Sequence, residues 1–145
     1  MEIITEKSGS YALRFGSGER YPDAYSAFLK KKKIRGGFFT GLGACVNPEI
    51  SFYDLKRKKY FTKRFRGDFE VLSITGNIAV SNDKVIIHQH VTLGDKKFQA
   101  TGGHLQNFIV GGTLEIFLTL TPALTRKVDS NTGLNLFQCE PLWPR

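Results

Sequence analysis

The chain has 145 residues and carries 21 Lys and Arg against 13 Asp and Glu, for a net charge of +8 and a pI near 9.6. One core suffices at this length, since folding buries about two-thirds of the surface that the extended chain exposes. Cys45 and Cys139, far apart and the only two cysteines, exclude a disulfide framework and a cysteine-rich metal site, while the glycine and aromatic content argues against a helical bundle.

The first ten residues lack a basic start followed by an apolar run, so no secretion signal is expected. Tyr11 to Phe15 alternates as a first strand, and Gly16 to Arg20 is its exit turn. Pro22 and Asp23 suit the first turn of a helix: proline gives up an amide that has no partner there, and the carboxylate complements the positive end of the dipole. Ala24, Tyr25, Phe28 and Leu29 form its apolar stripe. Lys30 to Arg35 holds five basic residues in six. Its lysines complement the negative end of the helix dipole, and Gly36 and Gly37 stop the helix.

Gly37 to Val46 is a predicted strand. Its Gly41-Leu42-Gly43 has no helix after it and therefore no phosphate-binding dipole, so these glycines are close-packing positions. Ile50 to Leu55 and Tyr60 to Phe65 form a predicted hairpin with Lys56 to Lys59 at its tip. Lys56 to Arg66 holds seven basic residues in eleven. Lys56, Arg57, Lys58, Lys59, Lys63, Arg64 and Arg66 are the candidate nucleic-acid contacts, with Tyr60, Phe61 and Phe65 able either to stack on bases or simply to face the core. The same lysines also suit a solvated tip that keeps a strand edge from pairing with other molecules.

Phe69 to Val80 is a predicted strand in which Leu72, Ile74, Ile78 and Val80 share one parity with Glu70. A carboxylate on an apolar face needs a partner, which makes Glu70 a candidate acid/base or supporting group beside a site, or the acceptor of a structural hydrogen bond. Leu114 to Leu120 places Leu114, Ile116, Leu118 and Leu120 inward and Glu115 outward. Phe108 to Leu124 is apolar but is interrupted by Gly111, Gly112, Thr113 and Glu115 and is too short to span a bilayer. A cytoplasmic protein is expected. The tail ends in Trp143, Pro144 and Arg145, and Trp143 is expected to dock on its own chain or on a neighbour.

All three histidines fall between Val85 and Leu105. Val85 to Leu93 alternates as a strand, with Ile86, His88, His90 and Thr92 on one face and Gln89, Val91 and Leu93 on the other. Gly94 and Asp95 are turn residues, and the chain returns through Lys97 to Ala100. A two-residue loop would send His104 to the wrong face. A three-residue loop, or a bulge at Gly102 and Gly103, would bring it beside His88 and His90. Three imidazoles with an open position suit a divalent ion, zinc first. Half-buried polar histidines with no ion are the plainer alternative.

His88-Gln89-His90-Val91 followed by Gly102-Gly103-His104-Leu105 resembles the paired signature of the PPC domain, the plants-and-prokaryotes-conserved domain, which in plants accompanies AT-hook DNA-binding motifs. Gly41-Leu42-Gly43-Ala44, Tyr53-Asp54, Phe69 to Ala79, Glu115-Ile116 and Thr132-Gly133-Leu134 agree in order, and the likeness runs from near Pro22 to Leu136. The resemblance implies an α+β fold, a mostly antiparallel β-sheet with one principal α-helix packed on it, assembled as a homotrimer. It also implies one PPC-like domain over residues 1–145, with a core of 10–137 and a tail of 138–145.

For function it implies a DNA-binding or regulatory protein with His88, His90 and His104 as metal ligands. The alternative is a metal-dependent enzyme or small-ligand binder using the same site. The Arg-Gly-Arg-Pro core of the AT-hook is absent. Ile34-Arg35-Gly36-Gly37 is the nearest approach, so only non-specific phosphate contact is expected.

Overall fold

The computed structural model describes residues 1–138, so Cys139, Trp143 and the expectation of a docked tail lie outside the described residues. A hairpin of β1 (Glu2–Lys7) and β2 (Ser10–Gly16) opens the chain, and the short β3 (Arg20–Tyr21) leads into α1 (Asp23–Lys31). The long strands follow: β4 (Gly37–Asp54), β5 (Lys59–Arg64), β6 (Asp68–Ser81), β7 (Lys84–Gly94) and β8 (Ala100–Leu120). A small separate ladder of β9 (Arg126–Val128) and β10 (Asn135–Phe137) comes last.

The main sheet runs β1-β2-β8-β7-β6-β4-β5, and every ladder in it is antiparallel. An additional ladder from β8 to β4, Gly37↔Leu120 through Ser51↔His104, closes β8, β7, β6 and β4 into a barrel. Inward-facing residues of these strands meet the apolar stripe of α1, where Tyr25 and Leu29 are fully buried against Phe15, Phe39 and Leu118. Tyr21 stacks between Tyr25 and Phe108, with centroids at 5.9 and 5.0 Å. The expected α+β architecture is the observed one: a mostly antiparallel sheet with one helix.

Several boundaries differ from the sequence expectation. β1 went unseen because all six of its residues are exposed, leaving no apolar period; its ladder to β2 holds it at the sheet edge and extends the ordered chain below residue 10. β4 is one strand where two were expected. Asn47 takes a left-handed φ of 52°, the register shifts between Val46 and Glu49, and the ladder to β8 then resumes. A bulge thus absorbs Pro48 without ending the strand.

β8 likewise runs unbroken through Gly111 and Gly112, far beyond the expected start at Leu114. The helix ends at Lys31, and Lys33, with φ of 55°, takes the left-handed position expected of glycine. Gly36 and Gly37 serve close approach instead: a Cβ on Gly36 would lie 2.0 Å from the Pro122 carbonyl oxygen, and one on Gly37 would lie 2.8 Å from that of Thr119.

In β6 the ladder to β7 slips between Val71 and Ser73. Leu72 is pushed outward to 54% exposure and Val71 takes its place in the core, so the single parity expected for this strand breaks there. Gly41 and Gly43 fulfil the close-packing expectation, since a Cβ would come within 2.3 Å of the Glu115 carbonyl oxygen and 2.1 Å of that of Thr113 respectively.

Candidate metal centre

β7 alternates as predicted: Gln89, Val91 and Leu93 are buried, while His88 and His90 project from the opposite face. The connection to β8 is neither the two- nor the three-residue loop considered from sequence. Gly94 pairs with Ala100, which leaves the five residues Asp95 to Gln99 as the loop. Asp95 organises it, its Oδ1 accepting from the Lys97 and Gln99 amides at 2.8 and 2.9 Å. Five residues give an even pairing sum, so His104 lies directly opposite His90 and shares its face.

The β7–β8 ladder shows no bulge at Gly102 and Gly103. These glycines let the backbones close in: a Cβ on Gly102 would lie 2.5 Å from the Val91 carbonyl oxygen, and one on Gly103 would lie 2.9 Å from that of Ser51.

The three rings meet with each pair of centroids 5.4 Å apart. One nitrogen from each ring lies within 4.8 Å of the others. Burial, followed by the neighbouring imidazoles His88 and His90, pulls the His104 pKa down to about 4. Burial also lowers that of His88, with Arg126 and His90 adding to the effect. Neutral imidazoles keep the lone pair that ligation needs, so the donor set fits a divalent ion of the zinc type.

Around the rings is a hollow of about 680 Å³. One wall is aromatic: Tyr60 lies against His104 with centroids 5.1 Å apart, and Tyr53 lies against Tyr60 at 4.7 Å. The Tyr53 hydroxyl donates to the Thr132 carbonyl at 2.7 Å, tying this wall to the turn between β9 and β10. That turn is built on Asp129, whose Oδ2 accepts from the Thr132 amide and hydroxyl.

β9 contributes Arg126, which no motif or periodicity in the sequence singles out. Its guanidinium donates to Asn77 Oδ1 at 2.8 Å and to the Asn135 carbonyl, lies 4.0 Å from the Phe137 ring centre, and makes a long 3.4 Å contact with His88 Nδ1. A His88 Nδ1 that accepts from Arg126 leaves the proton on Nε2. Ligation through Nε2 therefore requires that contact to give way. Tyr60, expected either to stack on bases or to face the core, is the other residue whose place in this site the sequence does not announce. Its parity with Thr62, which bonds Ser51, was the signal that it faces this hollow.

Glu70 does not join the histidines. It is exposed, pairs with Ala44 and Gly94, and lines a different hollow with Leu72 and Phe98.

The basic tip forms as predicted, with Asp54 opposite Lys59. Several of its charges are engaged. Lys58 Nζ donates to the Ser130 carbonyl at 2.8 Å, Arg64 forks onto Glu49 Oε2, Arg57 pairs with Asp54 and lies over Phe61, and Lys63 lies over Phe65. Among the described residues, Lys56, Lys59 and Arg66 have no ionic partner.

Residues 4–122 match the model of the Plants and Prokaryotes Conserved (PCC) domain. Two solved structures, each called a "putative DNA-binding protein", are 30% identical to the chain. The one from Bacteroides thetaiotaomicron has a TM-score of 0.89 and covers 92% of this chain and 94% of its own. The one from Ralstonia eutropha has 0.87 and covers 94% and 95%. A metal-containing protein from Archaeoglobus fulgidus is 29% identical with a TM-score of 0.83, over 95% of this chain and 99% of its own. The curated bifunctional protein GlmU of Synechococcus sp. matches at 23% identity over 92% of this chain, which spans only 21% of that protein.

Proposed function

The chain belongs to the Plants and Prokaryotes Conserved domain family, and from that premise we propose that it is a DNA-associated or regulatory protein holding one divalent ion, zinc first, at His88, His90 and His104. The observation that carries the metal is the approach of three imidazole nitrogens within 4.8 Å on one face of two adjacent strands. The relative from A. fulgidus described as metal-containing supports it. When bound, such an ion supplies Lewis-acid chemistry, acidifying water or polarising a carbonyl. Elemental analysis of protein purified without an affinity tag is expected to find about one divalent ion per chain. A metal content near zero after purification without chelator overturns this reading.

DNA association rests on the net charge of +8 and on the basic segment Lys56 to Arg66, together with what the structural relatives are called. Without an AT-hook core the contact is to phosphate and carries no sequence preference, so affinity falls steeply with salt. Binding that stays flat as salt rises, or that is absent at low salt, removes it.

A homotrimer and a cytoplasmic location belong to the same proposal. No helix among the described residues is long and apolar enough to cross a membrane. On the outer face, Phe38, Leu42, Leu72 and Phe117 are each more than half exposed, a patch that suits contact with further copies. Three copies around one axis would multiply the weak attraction of each basic tip.

A second reading, a metal-dependent enzyme or small-ligand binder, is favoured by the 680 Å³ hollow beside the rings, which is of the size that takes a small molecule.

A further inference from the structure

The hollow beside the histidines has an unbalanced charge. Arg126 lines it and, among the described residues, no Asp or Glu does. No carboxylate pairs with Arg126 among the described residues; the acceptors of its guanidinium are Asn77, Asn135 and the long contact to His88. Its Nε is buried without an acceptor among the described residues, so the group's donors are not all used there. The imidazoles are neutral ligands, so an ion held by them would add two positive charges beside the guanidinium with no carboxylate among the described lining residues to offset them. In a half-buried cavity such a surplus attracts an anion more strongly than it would in water. Apart from Ser51 and Asn135, the remaining walls are apolar or aromatic, among them Ile86, Leu134, Leu136, Tyr53 and Tyr60.

From this the geometry points to a small organic anion as the ligand of the centre, its negatively charged head placed between Arg126 and the three imidazoles and its apolar body against Ile86, Leu134, Leu136 and the tyrosines. The inference rests on the metal reading above and names the class of molecule that the site takes. Arg126 is reserved for it by construction. Asn77 and the Asn135 carbonyl hold the guanidinium from two sides and Phe137 covers its face, a preorganised fork that suits a carboxylate or phosphonate head. A strictly inorganic ion would leave the apolar walls unused, whereas an aromatic carboxylate uses both parts of the hollow.

The test uses the full chain loaded with cobalt(II) in place of zinc, with metal content measured first and benzoate, acetate and benzamide titrated while the visible spectrum of the ion is followed. Benzoate is expected to perturb the spectrum saturably, at least tenfold tighter than acetate, which lacks the apolar body, and at least tenfold tighter than benzamide, which lacks the charge. Arg126→Gln is expected to weaken benzoate at least tenfold while keeping the metal, and Arg126→Lys to recover part of the loss. Because Arg126 also pins β9 to β6 and β10, the benzamide comparison on the unaltered protein decides the matter even if both variants are poorly folded. Equal binding of benzoate and benzamide, or of benzoate and acetate, or an Arg126→Gln protein that binds benzoate as the parent does, overturns the inference while leaving the metal reading intact. Absence of retained metal overturns both.

Discussion

Tyr21 and Tyr25 offer a paired test of how the histidine strand is held. Both are fully buried and stack on each other, and burial keeps both phenols protonated, far above their ordinary pKa. They differ in one respect. The Tyr21 hydroxyl donates to Gln89 Oε1 at 2.8 Å, whereas the Tyr25 hydroxyl has no partner among the described residues. Gln89 is 3% exposed and stands between His88 and His90 on the other face of β7, so this bond ties the histidine-bearing strand to the segment leading into the helix.

Tyr21→Phe removes the donor and leaves a buried amide oxygen orphaned, at a cost of about 1–3 kcal/mol. Tyr25→Phe removes a hydroxyl that was already unsatisfied and should be neutral or stabilise by up to about 1 kcal/mol. Urea unfolding of the metal-free proteins reads the difference directly. At an m-value of about 1–3 kcal/mol/M, the two midpoints should separate by roughly 1 M. Tyr21→Phe is also expected to weaken metal retention, through a looser β7. Identical midpoints for the two variants would refute the assignment of a stabilising bond to Gln89.

His104→Ala should abolish stoichiometric metal, read by elemental analysis, while the far-UV spectrum is retained, since the ring lies at the half-exposed rim of the core. For metal-free protein the pH dependence has a definite sign. His104 is held at about 4 against an ordinary 6.5, so the unfolded chain takes up the proton first. Stability is therefore full above about 6.5 and falls as pH drops toward 4, by roughly 1–2 kcal/mol after discounting for the solvent-facing part of the ring. His104→Gln should flatten that limb relative to the parent in pH-resolved thermal unfolding. Gly102→Ala places a Cβ 2.5 Å from the Val91 carbonyl oxygen, and spreading β7 from β8 should cost about 1–3 kcal/mol and loosen the metal. Replacing Lys56, Lys59 and Arg66 together by Ala should lower the salt slope of DNA binding by about three phosphate contacts, with no change in sequence preference, as read by anisotropy at several salt concentrations.

The strands with clean alternation were legible because one face meets the core. Val85 to Leu93 and Leu114 to Leu120 fell where expected, and with them His88 and His90, whereas the face of His104 turned on a loop of five residues that the sequence did not single out. The paths of β4 and β8 were not. A proline in one and paired glycines in the other mark strand ends in an isolated reading, but here they lie at shifts in the β4–β8 register, and only the partner strand shows that the ladder resumes beyond them. Leu72 illustrates the same limit: a one-residue slip against β7 reverses which of two neighbouring residues is inside, and nothing local to the segment encodes it. Arg126 reaches His88 across 38 residues and Tyr60 reaches His104 across 44, so their membership of the site depends on tertiary closure alone.

β8 has a kinetic consequence. Its residues zip onto β4 along most of their length, joining positions as distant as Gly37 and Leu120, and His104 sits at the far end of that seam beside Ser51. Contacts so remote in the chain form late and slowly. The three candidate ligands sit on the β7–β8 hairpin, a local pairing that does not need the seam, so an ion bound there would steady that hairpin first and leave closure of the seam as the slow step.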